Sequence, residues 1–288
     1  MQQKFSCMLD EIEAAALKVH GIEVYHGGEV LRHMFSADIR YPIYSATKTV
    51  TSLAVCFALA EGRISLTQPL AELLPQRYLW QMPQQRRAAF SQLPLERFLT
   101  MSVAGYPFRP DGSDWLEFAL ACPVDLAAEP RFDYSNISAY LAGAACEHAV
   151  GEHLIAYLTP RLFEPLGIIS PDHSDAPQGG FYGASGMKLS LHEMSQLGLL
   201  LMNGGRYNNM QLLPESIVRS ACTKKIDCNK GGYGYFIWVY ENSFAISGKW
   251  GQRCEIFPQK QLMTAYLGDM PNTSRQMETL AKRFAERI

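Results

Sequence analysis

The chain has no Cys-x-x-Cys pair, no long uninterrupted apolar run and no stripe of one charge, and each absence removes a class of function. Its seven cysteines, Cys7, Cys56, Cys122, Cys146, Cys222, Cys228 and Cys254, are odd in number and scattered. That suits free thiols in a reducing compartment better than a disulfide framework or a thiolate zinc site. The seven histidines are dispersed too, and the nearest pair, His148 and His153, misses the i, i+4 spacing of a helical zinc motif. No metal and no cofactor is expected. No run approaches the ~20 apolar residues that span a bilayer. Asp10, Glu11 and Glu13 interrupt the amino terminus where a signal peptide keeps a continuous apolar core. A cytoplasmic protein is therefore expected. Net charge is −2, with lysines and arginines mixed among acids, so the expected partner is a small molecule, not nucleic acid or a membrane surface. Nothing in the pattern assigns an oligomeric state.

What is present is a chain of 288 residues, long enough to bury roughly 75% of its unfolded surface. From Gln2 to Val19, Phe5, Met8, Leu9, Ile12 and Ala16 recur at helical spacing and predict a helix lying on a sheet. Ile22–Tyr25 and Val30–Phe35 then flank a Gly27-Gly28 hairpin turn. After Cys228, short β-rich runs at Phe236–Tyr240, Phe244–Ser247, Gln252–Phe257 and Leu262–Leu267 predict an antiparallel meander. A final helix follows from Thr273. Between Arg63 and about Ser220 the pattern is helical and broken by prolines and glycines, with no strand pair standing out. Within it, Ser190 and Glu193 form a capping box for a helix through Met202. The expected fold class is α+β, an antiparallel sheet from both chain ends flanked by helices, with a large helical insertion. The expected organisation is one domain over 1–288, its α/β part near 1–62 and 228–288 and its helical part near 63–227.

Three clusters carry possible chemistry. In Tyr44–Gly62 the residues Leu53–Ala60 are apolar on every side, so the predicted helix is buried all round. Ser45 and Lys48, three apart, project from one face at its start. A serine beside an amine can be activated, and a backbone N–H at the positive end of a helix can donate to a developing oxyanion. Taken singly, an N-cap serine and a snorkelling lysine also fit. Ser185 and Lys188 repeat the spacing, but in a glycine-rich segment where nothing fixes them on one face. In Tyr134-Ser135-Asn136 a phenol and an amide project to the same side of an extended loop, placed to relay a proton and to hold Lys48 and a substrate carbonyl; a helix-entry turn fits those residues too. Ile246-Ser247-Gly248-Lys249 leaves a strand at a glycine turn, where substrate could approach the backbone closely, or where a hairpin simply bends.

In this order the three clusters resemble the serine β-lactamase and penicillin-binding-protein superfamily, specifically its class C β-lactamases, D-aminopeptidase-like peptidases and related esterases. Phe98–Ser102, Leu162–Ile168, Leu189–Gly205 and Leu212–Glu215 extend the resemblance over nearly the whole chain. The resemblance implies a β-lactamase/transpeptidase-like fold with Ser45 acylated, Lys48 and Tyr134 sharing proton transfer, and Asn136 positioning substrate. It implies Ser247, Gly248 and Lys249 as the strand flanking the substrate, with the Lys249 N–H a second oxyanion donor beside that of Ser45. The chain departs from the family at Ile246, where β-lactamases and cell-wall peptidases carry a lysine or histidine that helps to hold a substrate carboxylate. Lys249 and Arg253 are the candidates to replace it. The expected activity is therefore hydrolysis of a small ester or amide. β-Lactam or D-amino-acid peptide hydrolysis is the alternative, and a non-catalytic binding protein the third possibility. Trp80, Tyr106, Phe108 and Trp115 are candidates for pocket lining or core.

Overall fold

A computed structural model describes residues 1–288. One eight-stranded antiparallel sheet is assembled from both ends of the chain. Strands β1 (Val19–His26) and β2 (Glu29–Met34) come from the amino-terminal side. The carboxy-terminal side supplies β3 (Ile226–Cys228), β4 (Gly231–Tyr233), β5 (Trp238–Val239), β6 (Phe244–Gly248), β7 (Gln252–Phe257) and β8 (Leu262–Gly268). Their spatial order is β2-β1-β8-β7-β6-β5-β4-β3. The first and last parts of the chain thus meet at the β1/β8 pair, where Ile22 faces Tyr266 and Val24 faces Thr264.

Alternation along the strands divides the sheet into two faces. One is covered by α1 (Gln2–Ala14) and α5 (Ser274–Arg287), which pack Phe5, Met8, Ile12, Met277, Leu280 and Phe284 against Ile22, Val24 and Tyr266. The other face, with Ile246, Cys254, Ile256, Met263 and Ala265, belongs to the main core of 70 buried residues and continues into the helical part. Helix α4 (Leu191–Met202) lies on it and opens with the predicted capping box, Ser190 and Glu193 bonding each other's backbone. Its Gly198 is a close-approach residue, because a Cβ there would lie 2.4 Å from Cys254 Sγ and 2.6 Å from Met263 Sδ.

The predicted buried helix α2 spans Thr47–Ala60, and every residue from Thr47 to Ala58 is buried. It packs on α3 (Asn136–Val150), which Gly151 ends at φ 79°. Several boundaries differ from the sequence reading. The first helix stops at Ala14 and β1 begins at Val19, since the chain turns at Ala16. The carboxy-terminal strands of the sheet begin at Ile226, before the predicted change of texture after Cys228. Two small pairings also occur in or against the predicted helical part, Tyr41–Pro42 with Lys188–Leu189 and Arg206–Tyr207 with Met210–Gln211. All seven cysteines are free, and no helix is long and apolar enough to cross a membrane.

Candidate active site

The site lies where the start of α2, the start of α3, the end of β6 and the segment 182–187 converge. Ser45 sits in a 3-10 turn, Tyr44–Ala46, which leads directly into α2. Tyr44 holds φ at 48°, a conformation unusual for a bulky residue and one that persists only where its surroundings fix it. Ser45 is half-buried, and Lys48 beneath it is 1% exposed.

Three acceptors surround the Lys48 amine. Nζ is 3.1 Å from Ser45 Oγ, 2.7 Å from Asn136 Oδ1 and 2.7 Å from the Ala184 carbonyl. Burial, with no carboxylate to compensate it, pulls the Lys48 pKa down to about 7. A neutral amine has two N–H bonds and one lone pair. With Asn136 Oδ1 and Ala184 O taking the two N–H bonds, the lone pair is left for the Ser45 hydroxyl.

Helix capping explains why Asn136 is free for this role. Ser135 is the N-cap of α3, accepting from Ile137 N–H at 3.0 Å and donating to Pro107 O at 2.7 Å. Asn136 is already the first helical residue, and its amide spans from Lys48 to Tyr182, whose hydroxyl accepts from Nδ2 at 3.0 Å. The tripeptide is thus a helix entry, with Ser135 as the cap and Asn136 left free. Tyr134 approaches from the preceding extended turn. Lys48 Nζ stands 4.9 Å from its ring centroid, and Trp238 stacks on it with centroids 5.7 Å apart. Burial pushes the Tyr134 phenol up to about 12, with the neighbouring Ser45 side chain opposing the shift. At neutral pH it is a protonated hydroxyl.

The end of β6 presses on the serine turn. A Cβ on Gly248 would lie 2.2 Å from Ile43 O and 3.3 Å from Ala46 N, so only glycine fits. Gly248→Ala is expected to destabilise the fold by about 1–3 kcal/mol, measured by urea unfolding; an unchanged midpoint would contradict this contact. The backbone N–H groups of Ser45 and Lys249 donate to no acceptor within the protein. Both are open to a ligand oxygen.

Ser45, Lys48, Tyr134 and Asn136 are thus brought together, with Gly248 against them. Other candidates stand elsewhere. The register pairs Ser247 with Arg253, so its side chain lies on the α5 face, away from Ile246. The Lys249 ammonium rests over the rings of Trp250 (3.9 Å) and Tyr44 (4.6 Å). Arg253 is buried on the α5 side beside Glu255 at 2.8 Å and Glu278 at 3.4 Å. Ile246 itself is 1% exposed in the main core. Lys188 is exposed in the small strand beside Pro42, yet the segment carrying this second Ser-x-x-Lys supplies the Ala184 carbonyl. Gly183 locks that segment to α2 through Thr51 Oγ1, which donates to its carbonyl at 2.8 Å. Trp80 is 72% exposed, whereas Tyr106 is buried. Phe108 accepts the Asn136 N–H on its carbonyl, and Trp115 packs on Tyr182 at 4.8 Å.

One group of possible metal ligands occurs outside the site, with His153, His173 and Asp175 placing ligand atoms within 4.8 Å of one another. His153 Nδ1 accepts from Ile155 N–H, so its ring proton lies on Nε2 and is donated to Asp175 at 3.0 Å. The pair is satisfied as a hydrogen bond, with no lone pair on His153 offered to a metal.

Comparison with known proteins agrees with this arrangement at the level of fold. Among solved structures, a β-lactamase/D-alanine carboxypeptidase from Pseudomonas syringae superposes with a TM-score of 0.77 at 15% identity, covering 99% of this chain and 98% of that one. SurE with D-Leu gives 0.76 at 20% identity, covering 99% and 75%. A penicillin binding protein from Bacillus halodurans gives 0.70 at 16% identity, covering 96% and 99%. No curated protein sequence matches the chain. A family model described as Beta-lactamase matches residues 9–285, nearly the whole length over which the sheet and the helical part are built, and the chain belongs to the β-lactamase family.

Proposed function

We propose that the protein hydrolyses a small ester or amide through an acyl-enzyme on Ser45. The observation that carries this reading is the Lys48 amine, buried without a counter-ion and 3.1 Å from the Ser45 hydroxyl. Lys48 takes the serine proton as Oγ bonds to the substrate carbonyl carbon. The Ser45 and Lys249 N–H groups receive the resulting oxyanion. Collapse breaks the bond to the leaving group, which takes its proton through the Tyr134 hydroxyl, and water attacking the acyl carbon then releases the acid. Tyr134 acts as a relay, because its pKa of about 12 leaves little phenolate at neutral pH.

Hydrolysis of β-lactams or D-amino-acid peptides is the second reading. It is favoured by the fold shared with a protein named as a β-lactamase/D-alanine carboxypeptidase. Against it, Ile246 is apolar and buried, Arg253 is paired with Glu255 and Glu278, and the Lys249 ammonium rests over the rings of Tyr44 and Trp250. Incubation with an activated ester, a chromogenic cephalosporin and a fluorophosphonate, followed by peptide mass mapping, tests both readings. An adduct on Ser45 with preferential ester turnover is expected. Failure of every reagent to modify Ser45 would leave the non-catalytic binding protein.

The proton inventory also sets a pH profile. A general base must be unprotonated, so kcat/KM for the activated ester is expected to rise with pH through about 7 and then level. A profile flat across that range would exclude Lys48 as the base.

A further inference from the structure

One short turn serves the Lys48 amine twice. Tyr182, Gly183 and Ala184 form a γ-turn, in which the Ala184 N–H donates to the Tyr182 carbonyl at 2.7 Å and Gly183 holds φ at 66°. The Ala184 carbonyl takes one Lys48 N–H at 2.7 Å, and the Tyr182 hydroxyl accepts from Asn136 Nδ2 at 3.0 Å. Asn136 Oδ1 takes the other Lys48 N–H at 2.7 Å. The four residues close a ring of hydrogen bonds beneath Ser45.

The turn is fixed from outside that ring. Phe181 N–H donates to Glu147 Oε2 at 3.1 Å, Tyr182 N–H to Ser174 O at 3.1 Å, and Thr51 Oγ1 to Gly183 O at 2.8 Å. The Tyr182 ring meets Trp115 edge-on at 4.8 Å between centroids and borders Tyr140 at 6.4 Å. Burial raises the Tyr182 phenol above its ordinary value, against the pull of Asn136 and Arg109. At neutral pH it is a hydroxyl held in a fixed place.

An asparagine amide has an acceptor end and a donor end of nearly the same shape, so packing alone does not choose between them. Reversed, the Asn136 amide would aim Nδ2–H at the Lys48 nitrogen and capture the lone pair otherwise left for the Ser45 hydroxyl. Tyr182 is the one acceptor that Nδ2 has in the protein. We propose that Tyr182 is a positioning residue of the Ser45 centre, its hydroxyl selecting which end of the Asn136 amide faces Lys48 and so aiming the base at the nucleophile. Its kinetic consequence rests on the acyl transfer proposed at Ser45; the orientation of the amide does not.

Tyr182→Phe keeps the ring and removes the acceptor. In the full chain carrying 13Cε-labelled lysine, the Lys48 signal is assigned by its absence from Lys48→Met, and its chemical shift is followed against pH. The Lys48 midpoint is expected to fall by about one unit in Tyr182→Phe, because the ammonium loses a fixed acceptor. kcat/KM for the activated ester is expected to fall about tenfold, with the inflection of its pH profile moving in the same direction. Tyr140→Phe removes a hydroxyl from the same group of rings without touching Asn136, and is expected to leave the midpoint in place. An unmoved Lys48 midpoint in Tyr182→Phe, an equal shift in Tyr140→Phe, or unaltered turnover despite a moved midpoint would each overturn the proposal. A wild-type chain that takes no label at Ser45 and turns over no ester would sink the hydrolase reading, while the Lys48 titration would still decide whether Tyr182 orients the amide.

Discussion

Ser45→Ala is expected to lower kcat/KM for an activated ester by about 10⁴-fold or more, and to abolish labelling by a fluorophosphonate, while leaving the unfolding midpoint nearly unchanged. The size follows from the role proposed for the residue, since loss of the atom that forms the covalent bond removes the two-step route entirely. What remains is binding and the two open N–H groups, which in comparable serine hydrolases leave a residual acceleration of about 10³ to 10⁴ over water. Stability is spared because Ser45 is half-buried and is not the helix cap; the residue before α2 is Ala46, with no side-chain cap. The effects of Ser45→Ala and loss of Lys48 should be far from additive, because base and nucleophile act in one step. A Ser45→Ala protein that keeps its turnover, or takes label at Ser185 instead, would mean that the nucleophile lies elsewhere.

The parts of this site legible in the sequence were those encoded by local spacing. Ser45 and Lys48 share a face because they are three apart, and the surrounding apolar run required a helix buried on every side. The strands at both ends were readable because alternation and paired glycines are short-range signals. The Ala184 carbonyl was not readable, because a backbone acceptor has no side-chain signature and reaches Lys48 across 136 positions of chain. Its only sequence trace was the glycine-rich run 179–186, needed because Gly183 and Gly186 hold φ at 66° and 94°. Tyr182 was missed for the same long-range reason. Strands β3 and β4 were missed because they are three residues each, Asp227 in one and Gly231-Gly232 in the other are poor strand formers, and both are held by pairing with neighbours more than by their own propensity. The face to which Ser247 turns was not readable either, because it follows from its pairing with Arg253 across the sheet.

Lys48→Met should separate stability from activity. In the native protein the amine titrates near 7, while an unfolded lysine titrates near 10.5. Above the unfolded value neither state holds the proton, and Lys48 costs nothing. Between the two values only the unfolded chain is protonated, so stability falls as pH falls, and below about 7 the penalty is constant at roughly 5 kcal/mol. Methionine removes that penalty at similar volume. It also leaves Asn136 Oδ1 and Ala184 O without their donor, at about 1–3 kcal/mol each. The opposing effects nearly cancel at neutral pH, so the variant is expected to fold with wild-type-like stability while losing activity about 10³-fold or more. The decisive quantity is the pH dependence. From about pH 7.5 to about pH 9.5 the unfolding free energy of the wild type should rise by about 2 kcal/mol relative to Lys48→Met. Urea titrations at the two pH values measure it directly, and the difference cancels every other titrating group common to both proteins. Parallel curves would show that the buried amine keeps an ordinary pKa, and with it a proton that no base could use at neutral pH.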